Sequence, residues 1–270
     1  MFWATSASAF KITLRYIDFL SLVFYSIFFA LVVLFFINLY KRNFHNFEYK
    51  SHIKSIYFGF FVPFLYYILL FLGYSLLKGQ EMLILNNTWQ IFLLIFSAIF
   101  ILRRIKLNEI LGIALSFIGV VVLATKGDIS SLDFDSISKS LIGISCAILW
   151  SLYWTISAKD ERKIEMKLFF NFLFGFAYIS IFILFFGKLT FNILGILGSL
   201  YIALFEMSIT FIIYAKALSY KEDIPKIANL MYFIPIISLI LLSVLVGERI
   251  EFYVVISAIL IIFGIFISSR

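Results

Sequence analysis

An all-α integral membrane protein of ten transmembrane helices, arranged as two inverted five-helix repeats, is the fold the sequence predicts. Three observations predict it. The first is composition: 63% of the 270 residues are hydrophobic and 14% charged, with a mean hydropathy of +1.08, which leaves too little polar surface to cover a water-soluble globule. The second is the length of the apolar runs. They repeatedly approach the roughly 20 residues that a helix needs to cross a bilayer, and they lack the strict alternation of barrel strands about 10 residues long. The third is that the second half of the chain repeats the first.

The chain opens on MFWATSASAFKITL, fourteen residues that give about 21 Å of helix against a hydrocarbon core of about 30 Å. This reads as a first helix that is short or truncated. Ala7-Ser8-Ala9 resembles a signal-peptide cleavage site, but no basic region precedes it and Lys11 interrupts the run, which favours a helix. Nine full spans follow, at about 19–40, 55–77, 82–102, 108–125, 138–158, 168–187, 194–217, 227–246 and 252–268. Cys146, the one cysteine, lies inside a span, so neither a disulfide framework nor a metal cluster is expected. His45 and His52 share a basic loop, where solvation is the plainer reading.

Loop charge orients the spans. Of the 22 Lys and Arg, fifteen fall on one side; the other side holds seven, Lys11, Arg15, Lys78, Lys126, Lys139, Lys188 and Arg249. Positive loops stay in the cytoplasm, so both termini of this multi-pass cell-membrane protein are expected there. The net charge of +7 then reflects orientation and not a nucleic-acid partner.

A gap-free offset of 145 residues lays 81–122 beside 226–267, with Arg104-Ile105 on Arg249-Ile250 and Gly119 on Gly264. The tract FWATSASAFK (2–11) is similar to LWSLYWTISAK (149–159). The repeats are assigned to 1–126 and 138–270. Five helices is an odd number, so the second copy must enter the membrane from the opposite side, and the charges agree: RRIK in the first copy corresponds to ERIE in the second. Inverted repeats suit a carrier, because two pseudo-symmetric halves can open a midplane site to either face in turn.

The tract I-P-I-I-S-L-I-L-L-S-V-L-V-G-E-R-I (234–250), followed by a helix ending I-I-F-G-I-F (261–266), resembles the C-terminal end of each EamA-type repeat of the drug/metabolite transporter superfamily. The Trp-to-Lys tracts of helices 1 and 6 resemble it as well. In the first repeat Gln90 stands where the proline would be and Arg103 where the glutamate would be. The resemblance implies a ten-helix carrier of small metabolites, often amino acids and often outward. The tryptophan-rich helices and N-N-T-W-Q (86–90) look most like the aromatic amino acid exporter branch.

Glu206 is the sharpest single residue, because an ionised carboxylate in mid-span costs several kcal/mol unless paired, hydrated or protonated. It is a candidate either for binding a substrate ammonium or for coupling to protons, against a purely structural role. Ser199 and Thr210 share its helix face, although both hydroxyls can instead bond backbone carbonyls of their own helix. Lys11 can snorkel to the interface, or pair with Glu206 or a substrate carboxylate. Asn86, Asn87 and Asn229 offer amides at membrane depth. Trp3, Trp89, Trp150 and Trp154 offer flat faces to an apolar or cationic ligand, and Tyr66, Tyr67 and Tyr232 are weaker candidates of that kind. Pro235 is expected to kink the ninth helix and is a candidate hinge. Gly119 and Gly264 read as close-packing positions.

No cofactor or metal is expected. The partners are a small-molecule substrate, the lipid bilayer and a candidate coupling proton, with a monomer as the simplest unit. An enzyme would need parts that are missing: no G-x-S-x-G elbow, no histidine in a span and no carboxylate cluster for Mg²⁺. No phosphate-binding loop points to primary transport. A flippase or assembly partner for a lipid-linked carbohydrate stays open as the alternative.

Overall fold

The structure, a computed structural model, describes residues 2–46, 52–101, 106–128, 134–219 and 233–268. Ten helices fill those residues. They are α1 (Phe2–Thr13), α2 (Phe19–Tyr40), α3 (Ser55–Leu76), α4 (Gly79–Phe100), α5 (Leu107–Ala124), α6 (Phe134–Ser157), α7 (Ile164–Phe186), α8 (Ile193–Ala217), α9 (Phe233–Val246) and α10 (Phe252–Ser268). Seven, α2 to α8, are long and apolar enough to cross a membrane, and α9 and α10 are shorter apolar helices. The protein is thus an all-helical membrane protein. The expected span 227–246 matches α9 only from Phe233, since 227–232 lie outside the described residues, as does most of RRIK.

Local sequence explains several helix ends. Asp18 caps α2 by accepting hydrogen bonds from Leu20 N and Ser21 N, both at 3.0 Å, and Asn192 caps α8 through Leu194 N at 2.9 Å. Burial pushes the Asp18 carboxyl up, but hydrogen bonds from Ser21 and Thr190 outweigh it and hold the group below its usual range. In α4 and α5 the third-position acids Glu81 and Glu109 reach back to the Lys78 and Lys106 N–H groups, at 3.3 and 2.8 Å.

Three helices depart from regular α geometry. In α3, Val62 is extended (φ −140°, ψ 117°) beside Pro63, which bends the helix inside a π-type segment, Phe60–Leu65. In α8 a π segment covers Ala203–Ser208, and in α9 another covers Leu242–Val246. The bend at Pro63 was not anticipated from the sequence, whereas Pro235 lies within the first turn of the described part of α9.

The chain divides into two compact units, one of residues 1–71 and 160–238 and the other of 72–159 and 239–270. Each draws on both halves of the sequence, and the division falls inside α3 and α9. In the first unit α2 packs on α7 and α8, α3 on α7, and α1 on α8. Small residues allow close approach: a Cβ on Gly59 of α3 would lie 2.5 Å from Asn171 O of α7, and one on Gly198 of α8 only 2.2 Å from Thr13 Oγ1 of α1. Tyr67, Phe71, Phe172 and Phe211 are the largest fully buried side chains around these contacts.

In the second unit α4 packs on α6, and α5 on α10. The α5–α10 contact is reciprocal. A Cβ on Gly112 would lie 2.3 Å from Gly264 O, and one on Gly119 would lie 3.0 Å from Ser257 O. With the 145-residue offset, Gly264 is the counterpart of Gly119, and Ser257 of Gly112. Between them Ser116 Oγ donates to Ile261 O at 3.3 Å, a pair 145 residues apart. As residue numbers rise along α5 they fall along the facing α10, so the two equivalent helices run antiparallel and meet in an isologous contact.

Candidate functional site

Glu206 lies inside the π segment of α8 and is 6% exposed. The Ser6 hydroxyl of α1 donates to its Oε2 at 2.5 Å, and Trp3 Nε1 donates to its backbone carbonyl at 3.4 Å. Trp3 and Ser6 are three residues apart, so they share one face of α1 and together grip the same residue of α8. The Tyr67 phenol of α3 also acts on the Glu206 carboxyl. The π geometry frees carbonyls from the helix ladder, and hydroxyls take them up: Ser208 Oγ bonds Ala203 O at 2.7 Å and Thr210 Oγ1 bonds Phe205 O, each five residues back. Insertions of this kind recur at functional positions in helices.

An aromatic wall surrounds this contact. Trp3 lies 5.0 Å from the Tyr214 ring and edge-on to Phe211 at 6.4 Å. Phe2 and Tyr201 approach Phe205 at 4.9 and 4.8 Å, and Tyr201 OH bonds Thr5 Oγ1 at 2.7 Å. A buried carboxyl among aromatic faces can accept a substrate ammonium, whose charge the rings also attract, or it can hold a proton.

The other candidates are placed as follows. Ser199 Oγ donates to Gly195 O at 2.8 Å, and Thr210 to Phe205 O, so both hydroxyls bond their own helix. Lys11 stands half-buried in the last turn of α1, five residues beyond Ser6 and so about 7.5 Å further along the axis. These groups, with Glu206 and Trp3, belong to the first unit. Asn86, Asn87, Trp89, Trp150 and Trp154 belong to the second. There Asn87 Nδ2 donates to Leu83 O at 2.8 Å, and Asn86, Asn87 and Trp89 cluster where α4 breaks at Thr88. Trp150 and Trp154 are buried on α6 and meet edge-on at 5.7 Å. Asn229 and Tyr232 lie outside the described residues.

Three functional-looking features escaped the sequence reading. The first is Ser6: serine in an Ala/Ser run looks generic, and its i, i+3 spacing from Trp3 is the signal the sequence offers. The second is Glu248, which accepts from Gly79 N at 2.8 Å and Gln80 N at 3.1 Å, capping α4, after Gly247 turns the chain at φ 81°, where glycine carries no steric cost. The third is a polar cluster at one end of the first unit. The Arg162 guanidinium bonds Asp160 through Nη2 at 2.6 Å and Ser55 Oγ through Nη1 at 2.9 Å, and it meets His52 Nδ1 at 3.2 Å. Burial pushes the Asp160 carboxyl up, but the Arg162 hydrogen bonds and charge leave it below its usual range. Burial, then the Arg162 charge, holds the His52 imidazole below its usual value. Nearby, Lys41 and Lys216 pair with Glu165, the latter at 3.2 Å. His52, expected to be solvated, is thus buried against Phe170 with ring centroids 4.2 Å apart. The cluster ties α2, α3, α7 and α8 together at one loop end.

Known proteins place this architecture. Residues 1–125 and 138–270 each match the sequence pattern of the EamA-like transporter family. A protein of Clostridium kluyveri described as an uncharacterized transporter is 30% identical over 203 residues, covering 71% of this chain and 63% of that relative's length. One of Archaeoglobus fulgidus with the same description is 23% identical over 100% of this chain and 94% of its own. A solved crystal structure superposes with a TM-score of 0.71 at 19% identity, covering 99% of this chain and 92% of the other, a likeness of fold. With both halves matched, the chain belongs to the EamA-like transporter family, a family of membrane transporters and not of enzymes.

Proposed function

We propose that the protein is a secondary transporter that carries a small, amino-acid-like metabolite outward by alternating access between two inverted repeats, residues 1–126 and 138–270. One observation carries the reading: Glu206, buried in the π segment of α8, is held by Ser6 and walled by aromatic rings. Glu206 takes the substrate ammonium or the coupling proton, and Trp3 lends its flat face. The tryptophan-rich helices favour the aromatic amino acid exporter branch. The antiparallel, reciprocal α5–α10 contact supports inverted topology, and the loop charges support cytoplasmic termini. Pro235 serves as hinge in α9.

The test is a panel of the twenty amino acids offered to the purified chain in liposomes, with and without a proton gradient. Saturable flux of at least one amino acid, accelerated by the gradient if Glu206 couples to protons, is the expected result. No flux for any of them, from protein that is folded, would refute the amino-acid reading.

A further inference from the structure

The end of the second unit where α3 and α5 stop and α4, α6 and α10 start holds a cavity of about 350 Å³, within the range of roughly 300–1,000 Å³ usual for small-molecule sites. Its charge pattern is unusual. Lys78, Lys126 and Lys139 line it, interleaved with Glu81, Asp135 and Glu251. The three lysines belong to the seven basic residues on the side assigned by loop charge to face away from the cytoplasm. A face depleted in positive charge thus gathers nearly half of its cations at one cavity.

The carboxylates are all held in place. Lys78 Nζ donates to Glu251 Oε1 at 2.8 Å and Lys139 Nζ to Asp135 Oδ2 at 2.5 Å. Tyr253 OH donates to Glu81 Oε1 at 2.7 Å. Lys126 differs: it is exposed, sits just beyond α5 at a left-handed φ of 51°, and makes no ion pair among the described residues. Among the described residues the cavity therefore presents one ammonium outside an ion pair, that of Lys126, beside fixed carboxylates, with Leu76 and Leu77 supplying an apolar wall. Its complement is a molecule with a carboxylate, an ammonium and an apolar tail.

We infer that this cavity is a second binding site, for a small apolar amino acid in its zwitterionic form. The ligand carboxylate sits on Lys126, its ammonium among Asp135, Glu251 and Glu81, and its side chain on Leu76 and Leu77. The role of the site, holding substrate at the mouth away from the cytoplasm, rests on the transport reading above; the binding itself does not.

The test uses the full chain in lipid nanodiscs with L-leucine as probe. Acylation of Lys126 by an amine-reactive reagent is followed by mass spectrometry, with exposed Lys188 as internal control. Saturating L-leucine is expected to slow Lys126 labelling at least fivefold and to leave Lys188 unchanged. 4-Methylpentanoate, which lacks the ammonium, and isopentylamine, which lacks the carboxylate, should protect several times less. Lys126→Asn keeps a residue that tolerates the left-handed backbone and is expected to weaken L-leucine binding, read by equilibrium dialysis, about tenfold, the scale of one lost charge-assisted contact. Equal Lys126 labelling with and without L-leucine, equal protection by the half-molecules, or unchanged affinity in Lys126→Asn would each overturn the site. Protection at Lys126 without any leucine flux in liposomes would keep this site and sink the carrier reading for leucine; flux without protection would do the reverse.

Discussion

The α1–α8 and α5–α10 contacts use the same device to different ends. Both rely on glycines that bring two helices close: Gly195 and Gly198 of α8 admit Ile17 and Thr13, while Gly112, Gly119 and Gly264 join α5 to α10. In lipid, apolar surface gives helices little reason to prefer each other, so close packing and a few interhelical hydrogen bonds must do it. Between α5 and α10 nothing ionisable among the described residues touches the glycines, and Ser116 bonds a backbone carbonyl. Between α1 and α8 the helix is widened by a π segment and Glu206 is set against Ser6. The difference separates a contact that needs only to hold from one that also presents a chemical group.

The α5–α10 contact is most sensitive at Gly264. Gly264→Leu places a large side chain where even a Cβ would lie 2.2 Å from Ser116 Oγ and 2.5 Å from Gly112 O. Gly112 O and Ser116 N, the latter at 2.9 Å, are backbone of α5 and cannot yield as a side chain would, so the expected outcome is loss of the folded species by size-exclusion chromatography, beyond the usual cost of about 1–3 kcal/mol for overpacking. A monodisperse, fully active Gly264→Leu protein would show the α5–α10 contact to be misplaced.

Ser6→Ala sharpens the other member. It removes the 2.5 Å hydrogen bond to Glu206 with little change in volume, and such a bond is worth about 0.5–1.5 kcal/mol to a protonated carboxyl and about 1.5–3 kcal/mol to an ionised one. Flux in liposomes is expected to fall about tenfold, with a smaller effect on thermal stability. A loss of stability with unchanged flux would make Ser6 a packing residue. Ser116→Ala is the matched control: interhelical bonds of this kind average about 0.6 kcal/mol in membranes, so its melting temperature should fall by only a few degrees and its flux should stay near wild type.

The same contrast explains how much could be read from the sequence. The helices were legible because apolar runs of membrane length are a one-dimensional signal, and Glu206 was legible because a lone acid in such a run is anomalous. Gly119 and Gly264 were legible through the repeat. Ser6 and Tyr67 were not singled out as partners of Glu206, since neither is unusual in composition and both matter only through contacts with helices distant in sequence. The π segments and the bend at Pro63 leave no period to read. The capping role of Glu248 depends on the start of α4, 169 residues away, and the burial of His52, for which solvation is the plainer reading, depends on Phe170 and Arg162.

Transport by Glu206→Gln and Glu206→Asp, measured in liposomes beside wild type with the best substrate of the panel, is the most direct experiment. Glutamine keeps the shape and can still accept from Ser6, but it can neither pair with an ammonium nor release a proton. Glu206→Gln should stay folded and lose at least tenfold in flux, while Glu206→Asp should retain part of it. Wild-type flux from folded Glu206→Gln, under the same gradient, would contradict a transport role for this carboxylate.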